Sequence, residues 1–297
     1  MSNLNKKISP LLFTKLYTII ENERWSSYSE EWRDSLINNL ANRLAIFNNE
    51  EQELLIEMFK KYKKYKFSND YNKLIQNVFL YLSQNINHEN ARFKIAKINY
   101  GENASKSSEL LFRFCEKFSS ELYFLQDHEI VFCKRIKDIG KIENGSNDFL
   151  VIIDDFLGTG ETAKKTIVKL RAVEPSHIYV VSLVAQKRAV ELLGGLGVHV
   201  IYNESHLKAI SDFFGANTKI KKGIMKGIEN RLGVEPEKRL GYKNSEAVIS
   251  MERTPDNTLP FFWWECNASP KAPFPRKEID VDNLLESHHL ERGGGCG

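Results

Sequence analysis

The chain has 297 residues, 42% of them hydrophobic and 27% charged, a composition that supports a packed core and excludes a disordered or fibrous chain. A formal net charge of +3 is too small to draw nucleic acid on electrostatics alone. No apolar run is long enough to cross a bilayer and the start MSNLNKKISP does not read as a signal peptide, so a soluble, cytoplasmic protein that does not engage a membrane is expected.

Residues 9–86 read as helical. Leu11, Leu12, Leu16, Ile19 and Ile20 recur at helical spacing, as do Trp32, Leu36, Leu40, Leu44 and Phe47. A third helix starts after Asn48-Asn49, with Glu50, Glu51 and Glu53 near its positive end. It carries Leu54, Leu55, Met58 and Phe59 and runs into the basic stretch Lys60-Lys61-Tyr62-Lys63-Lys64-Tyr65-Lys66. That stretch admits two readings, a nucleic-acid contact or a solvated helix end where the dipole favours cations. A fourth helix holds Leu74, Val78, Phe79 and Leu82. The period alone gives an all-helical N-terminal module over residues 1–90, expected to dock protein partners.

After residue 90, short β-branched and aromatic runs alternate with helical ones. Strands are expected at residues 93–100, 129–136, 149–154, 178–184 and 198–202, and helices from 108 to about 118, from 161 to 173 and over 187–193. Alternation at this spacing means βαβ units and a doubly wound parallel sheet, so residues 91–276 read as an α/β domain. A helix around 221–232, a strand at 247–251 and a Pro- and aromatic-rich segment over 254–276 complete it. Residues 277–297, with His288, His289 and a glycine-rich end, are expected to form a disordered tail. Cys115, Cys133, Cys266 and Cys296 are far apart, with no metal-ligand spacing, and read as reduced thiols.

The most informative stretch is VIIDDFLGTGET, residues 151–162. It joins a buried strand, two adjacent acids, a small-residue turn and a helix start. In an open parallel sheet, ligands bind beyond the carboxyl ends of strands. Gly158-Thr159-Gly160 lets backbone N–H groups approach a ligand, the following helix presents unpaired N–H groups, and Thr159 and Thr162 add hydroxyls. That is a phosphate cradle. The carboxylates before it suit ribose hydroxyls and hard, oxygen-loving Mg2+. A P-loop lysine is missing, and the GxGxxG fingerprint is incomplete.

The run Asp154-Asp155-Phe156-Leu157-Gly158-Thr159-Gly160-Glu161-Thr162 resembles the phosphoribosyl pyrophosphate signature of type I phosphoribosyltransferases. The strand and helix order over residues 93–202 extends the resemblance. It implies a type I phosphoribosyltransferase-like fold, a Mg2+ cofactor, and glycosyltransferase activity on a ribosyl phosphate ligand. It implies that Asp154 and Asp155 are the catalytic acids, holding the ribose hydroxyls and the metal. Phe156 and Leu157 then lead into the substrate-binding turn, with the 5′-phosphate on Gly158, Thr159, Gly160, Glu161 and Thr162. In 6-oxopurine transferases the residue before the Thr-Gly pair is an acidic general base; here it is Gly158, which disfavours that chemistry.

Two further loops occupy family positions. The first, residues 101–108, stands where a pyrophosphate loop is found: Ser105, Lys106 and Ser107 meet a diphosphate, or Ser107 or Ser108 only caps the next helix. The second, residues 137–148, is a mobile flap or a solvated connector. Phe261-Phe262-Trp263-Trp264 walls an acceptor pocket or packs in a core. The helical front, the phosphate motif and the TPDNTLPFFWW segment together look like the phosphoribosyltransferase-like proteins of bacterial conflict loci. That resemblance implies a multi-protein anti-phage defence system, in which nucleic acid is one conceivable partner. An active transferase and a non-catalytic nucleotide-sensing or structural subunit are both compatible with these residues.

Overall fold

The computed structural model describes residues 8–21, 25, 28–86, 91–98, 106–117, 128–143, 145–170, 173–266 and 269–293. In chain order its main elements are α1 (Pro10–Ile20), α2 (Glu30–Leu44), α3 (Asn49–Lys60), β1 (Lys63–Lys64), a π-helical turn (Phe67–Tyr71), α4 (Asn72–Asn85), β2 (Arg92–Lys97), α5 (Lys106–Lys117), β3 (Glu129–Cys133), β4 (Asp148–Leu157), α6 (Glu161–Lys169), β5 (Ile178–Ala185), α7 (Lys187–Gly194), β6 (His199–Ser205), α8 (Thr218–Arg231), β7 (Ile249–Ser250) and α9 (Val281–Gly293). Side chains start the first three helices. Ser9, Ser29 and Asn48 accept the N–H groups of Leu12, Trp32 and Glu51, and Asn48 and Glu51 cap each other's backbone.

These elements form two compact units. The first gathers residues 1–64, 208–250 and 254–277. Leu16, Ile20, Leu40 and Met58 from α1–α3 share its core with Met225 and Ile228 of α8 and with Phe261 and Phe262. Arg43 is fully buried: its guanidinium donates to the backbone oxygens of Trp264 and Pro270 and lies 5.5 Å from the Phe261 ring centroid. Burial lowers its pKa to about 10, so it stays charged at neutral pH. The aromatics at 261–263 are thus core residues of this unit rather than a pocket wall. The basic run is not a plain solvated helix end either. Helix α3 stops at Lys60, Tyr62 stacks on Phe274 at 4.2 Å, and Lys63–Lys64 pair in parallel with Ile249–Ser250. Tyr62 and Tyr65 are both buried and offer no ring face to nucleic-acid bases.

The second unit gathers residues 65–207, 251–253 and 278–297. Among the described residues it holds a five-stranded sheet, order β3-β2-β4-β5-β6, with every pairing parallel. The chain leaves β2 toward one edge, then returns past it to build β4, β5 and β6 toward the other. Right-handed crossovers therefore put α5 on one face and α6 and α7 on the opposite one. Ala163, Ile167, Ala189 and Leu193 of α6 and α7 pack with Leu150, Ile152 and Val180. The alternate residues Phe149, Val151 and Ile153, equally buried, face the side where α5 packs on β2 and β4 and α4 on β5 and β6.

Three expectations change here. The module expected over residues 1–90 divides after Lys64, because α4 serves the sheet; helical period reveals an apolar face but not which core receives it. Residues 137–148, read as a flap or a solvated connector, are packed where described: Ile139 and Ile142 are buried, Ile142 bridges to Val173, and Lys94 donates to the Ile139 carbonyl at 2.9 Å. The supposed tail contains α9, held by an Arg113–Asp282 ion pair at 2.5 Å and by buried Leu285. Lys117 also donates to the Leu285 carbonyl at 3.2 Å, and among the described side chains of this helix one leucine is buried, which leaves little periodicity to read. Cys115 and Cys133 are buried and Cys266 is exposed, and among the described residues none of the three is in a disulfide; Cys296 lies outside the described residues.

Glu229 of α8 is fully buried, and its Oε2 accepts the N–H of Leu240 at 2.8 Å while Oε1 has no protein partner. Burial raises its pKa from 4.5 to about 8. The folded protein then keeps a proton that the unfolded chain releases, so stability falls as pH rises through that window and the loss is complete above it. Glu229→Gln keeps the acceptor and removes the ionisation. It is expected to exceed the wild type by about 1–3 kcal/mol above the window, and to lose that advantage near pH 5, as read by urea denaturation at both ends.

Candidate functional site

Strand β4 is the middle strand of the sheet, and its ten residues end in Asp154-Asp155-Phe156-Leu157. The next three residues turn, and α6 begins at Glu161. Gly160 stands at the helix start with φ 75° and ψ −2°, the left-handed region that favours glycine. A Cβ there would come within 3.1 Å of the Ala189 Cα in α7, so glycine is required twice over, by backbone and by space. The sheet order places this turn beside the point where strand growth reverses, between the carboxyl ends of β2 and β4. In doubly wound sheets that crevice is where ligands bind.

Both acids are buried, Asp154 at 9% exposure and Asp155 at 3%. Alternation sends Asp155 toward the face of Phe149, Val151 and Ile153, where α4 and α5 start. There the Tyr71 hydroxyl donates to Asp155 Oδ2 at 3.0 Å, and the Ser107 hydroxyl bonds the same carboxylate. Asp154 folds back, its Oδ1 accepting the Asp155 N–H at 3.1 Å. Burial pushes both carboxyls above the usual range. Asp154 rises further because the Asp155 charge adds to burial, whereas Tyr71 heads the hydroxyls and N–H groups that hold Asp155 down.

Other expected site residues fall as follows. Phe156 packs edge-on against His206 at 6.0 Å, and Leu157 joins the core under α6, so both side chains serve the sheet. Thr159 is buried in the turn, Glu161 is half-buried and Thr162 exposed in the first turn of α6. Helix α5 begins at Lys106, so Ser107 and Ser108 lie inside its first turn instead of capping it. Ser105 and the Lys106 side chain lie outside the described residues. Tyr71 and Glu252 were not legible as site residues: the Tyr71 hydroxyl lies 84 positions from Asp155, and it accepts at 3.1 Å the N–H of Glu252, 181 positions from Tyr71. A cavity of about 520 Å3 opens between Ile142, Ile167, Val173 and Ile178, at the amino ends of the strands, away from the acids.

Among the described residues no group of three or more His, Cys, Asp or Glu forms a metal cage. Mg2+ usually binds through one or two carboxylates plus water and ligand phosphates. Asp154 and Asp155 fit that mode, as adjacent buried carboxyls that no lysine or arginine among the described residues neutralises.

The family described as PRTase-CE matches residues 28–276. Among solved structures, 27 chains match. One is the orotate phosphoribosyltransferase from Aeropyrum pernix, 16% identical over 55% of this chain and 74% of that one, with a TM-score of 0.26. No curated protein matches.

The geometry at Gly160 yields a direct test. Gly160→Ala combines a left-handed backbone with a close approach to Ala189, and is expected to destabilise the protein by about 1–3 kcal/mol. The urea midpoint should drop accordingly. An unchanged midpoint would show that the turn relaxes freely.

Proposed function

The chain belongs to the PRTase-CE family, and on that premise we propose that residues 154–162 bind the phosphoribosyl group of phosphoribosyl pyrophosphate with Mg2+. The protein then transfers or cleaves that ribosyl group, as a cytoplasmic component of an anti-phage defence system. The observation that carries the reading is the union of a buried acid pair, a glycine turn and a helix start at the carboxyl end of the middle strand.

The two halves of the site have opposite chemistry. The turn at 158–160 and the first N–H groups of α6 favour the 5′-phosphate. Asp155 accepts from ribose hydroxyls. Mg2+, when bound, neutralises charge on the diphosphate. The bond from ribose C1 to the diphosphate oxygen breaks, its electron pair leaves with the diphosphate, and the acceptor's nucleophilic atom bonds C1 and loses its proton to solvent. Burial of the acids excludes water from the charge that develops at C1. Gly158 supplies no base for that proton, which disfavours a 6-oxopurine acceptor. We assign partner docking to α1–α3.

One observation favours a second reading, a ligand sensor without turnover. Gly158 stands where an acidic base occurs in purine transferases, and the turn Gly158-Thr159-Gly160 carries no acidic or basic side chain. Diphosphate release from phosphoribosyl pyrophosphate, with pools of candidate acceptors, separates the two.

Among the described residues no helix is long and apolar enough to cross a membrane. Titration calorimetry with phosphoribosyl pyrophosphate and Mg2+ tests the site itself. Asp155→Asn is expected to weaken binding by about 1.5–3 kcal/mol, the scale of hydrogen bonds to a charged group. Thr159→Val should cost about 1.5–3 kcal/mol, through one hydrogen bond to the charged phosphate. Absence of binding by the wild type at millimolar ligand would refute the reading. Equal binding by Asp155→Asn would move the ligand away from the acid pair.

A further inference from the structure

Asp155 does not stand alone at the end of β4. Tyr71 closes the π-helical turn directly before α4, and it is fully buried. Its hydroxyl donates to Asp155 Oδ2 at 3.0 Å and accepts the Glu252 N–H at 3.1 Å. A phenol has one proton to give. With Glu252 directed at the oxygen lone pair, that proton is aimed at Asp155. The turn is itself fastened to the same segment, because the Phe67 N–H donates to Glu252 Oε2 at 3.1 Å. The Phe67 ring meets the Tyr71 ring edge-on at 5.4 Å. From α5, Ser107 bonds the same carboxylate. An ionised carboxylate has about four lone-pair positions. Two hydroxyl donors on separate elements leave the remaining positions pointing in a fixed direction.

We propose that Tyr71, supported by Ser107, is a positioning residue that aims Asp155 at the vicinal hydroxyls of the sugar and so makes the site selective for an intact ribose. This rests on reading residues 154–162 as a phosphoribosyl site. The phosphate is gripped by the turn at 158–160 and does not depend on Tyr71. The hydroxyls are gripped by a carboxylate whose orientation does. Removing the phenol hydroxyl frees Asp155 to rotate, so hydroxyl recognition is lost while phosphate recognition survives. A tyrosine that only supported the fold would weaken both together.

The experiment titrates the full-length chain, with Mg2+, against ribose 5-phosphate and against 2,3-dideoxyribose 5-phosphate, which keeps the phosphate and lacks both hydroxyls. The wild type is expected to prefer the ribose by roughly tenfold or more, the scale of one hydrogen bond to a charged group. In Tyr71→Phe the dideoxy ligand should bind as before, while the preference collapses to less than about threefold. Ser107→Ala should move the ratio the same way, and it decides the matter alone if Tyr71→Phe does not fold. An unchanged ratio in the variants, or parallel loss of both ligands, overturns the positioning role. A wild type that binds both ligands equally overturns it too. A wild type that binds neither overturns the phosphoribosyl reading along with it.

Discussion

Two adjacent carboxylates at the end of a buried strand are a cost to the folded protein, and their surroundings are arranged around that cost. Like charges a few ångströms apart in a dry interior repel strongly. Among the described residues, oriented donors rather than cations meet them. Tyr71, just before α4, and Ser107, in the first turn of α5, both bond Asp155. Helix α6 follows β4 with three residues between them. Three helices thus send their amino ends, or side chains from them, toward one acidic strand end. Helix amino ends carry partial positive charge. A parallel sheet makes this possible, because every strand ends at the same edge and the following helix starts there.

The same arrangement narrows what the edge can receive. Buried acids call for hydroxyl donors or a hard cation. The glycine turn and the N–H groups of α6 call for an anion. These opposite demands lie within one strand-turn-helix step, and the proposed ligand meets both by carrying hydroxyls and a phosphate a few bonds apart. A phosphorylated sugar does so, and a diphosphate on the same sugar brings the oxygens that complete a magnesium shell. A lone phosphate satisfies only the turn. The chemistry thus agrees with the PRTase-CE family without drawing on the distant orotate transferase likeness.

What could be read from the sequence was whatever the chain encodes locally. The FLVIID run gave β4 because a strand covered on both faces is apolar at successive positions. The acid pair, the glycine turn and α6 are contiguous, so their order revealed the candidate site. What escaped depends on partners remote in sequence. Tyr71 is one aromatic among many in an amphipathic stretch, and its hydroxyl gains meaning only from an aspartate 84 positions away. Lys63 and Lys64 look like the end of a basic helix until Ile249 and Ser250 pair with them. Phe261 and Phe262 fit a pocket wall or a core equally well by composition. Only the helices packed on them decide.

The division of the chain bears on what the family's sequence encodes. The PRTase-CE match begins at residue 28 and ends at residue 276, inside the first unit at both ends, and takes in the whole sheet between. The first unit is assembled from three stretches of chain, and residues 251–253 leave it for the second. Glu252, which orients Tyr71, lies in that three-residue excursion. Tyr71 lies just after the earlier crossing at residue 64. A sheet fragment starting at residue 91 would keep Asp154, Asp155 and the glycine turn, yet lack Tyr71 and α4. The acid pair is therefore local in sequence, but the structure that holds it is not. Within the second unit, α4 and residues 251–253 belong with the sheet as parts of that structure.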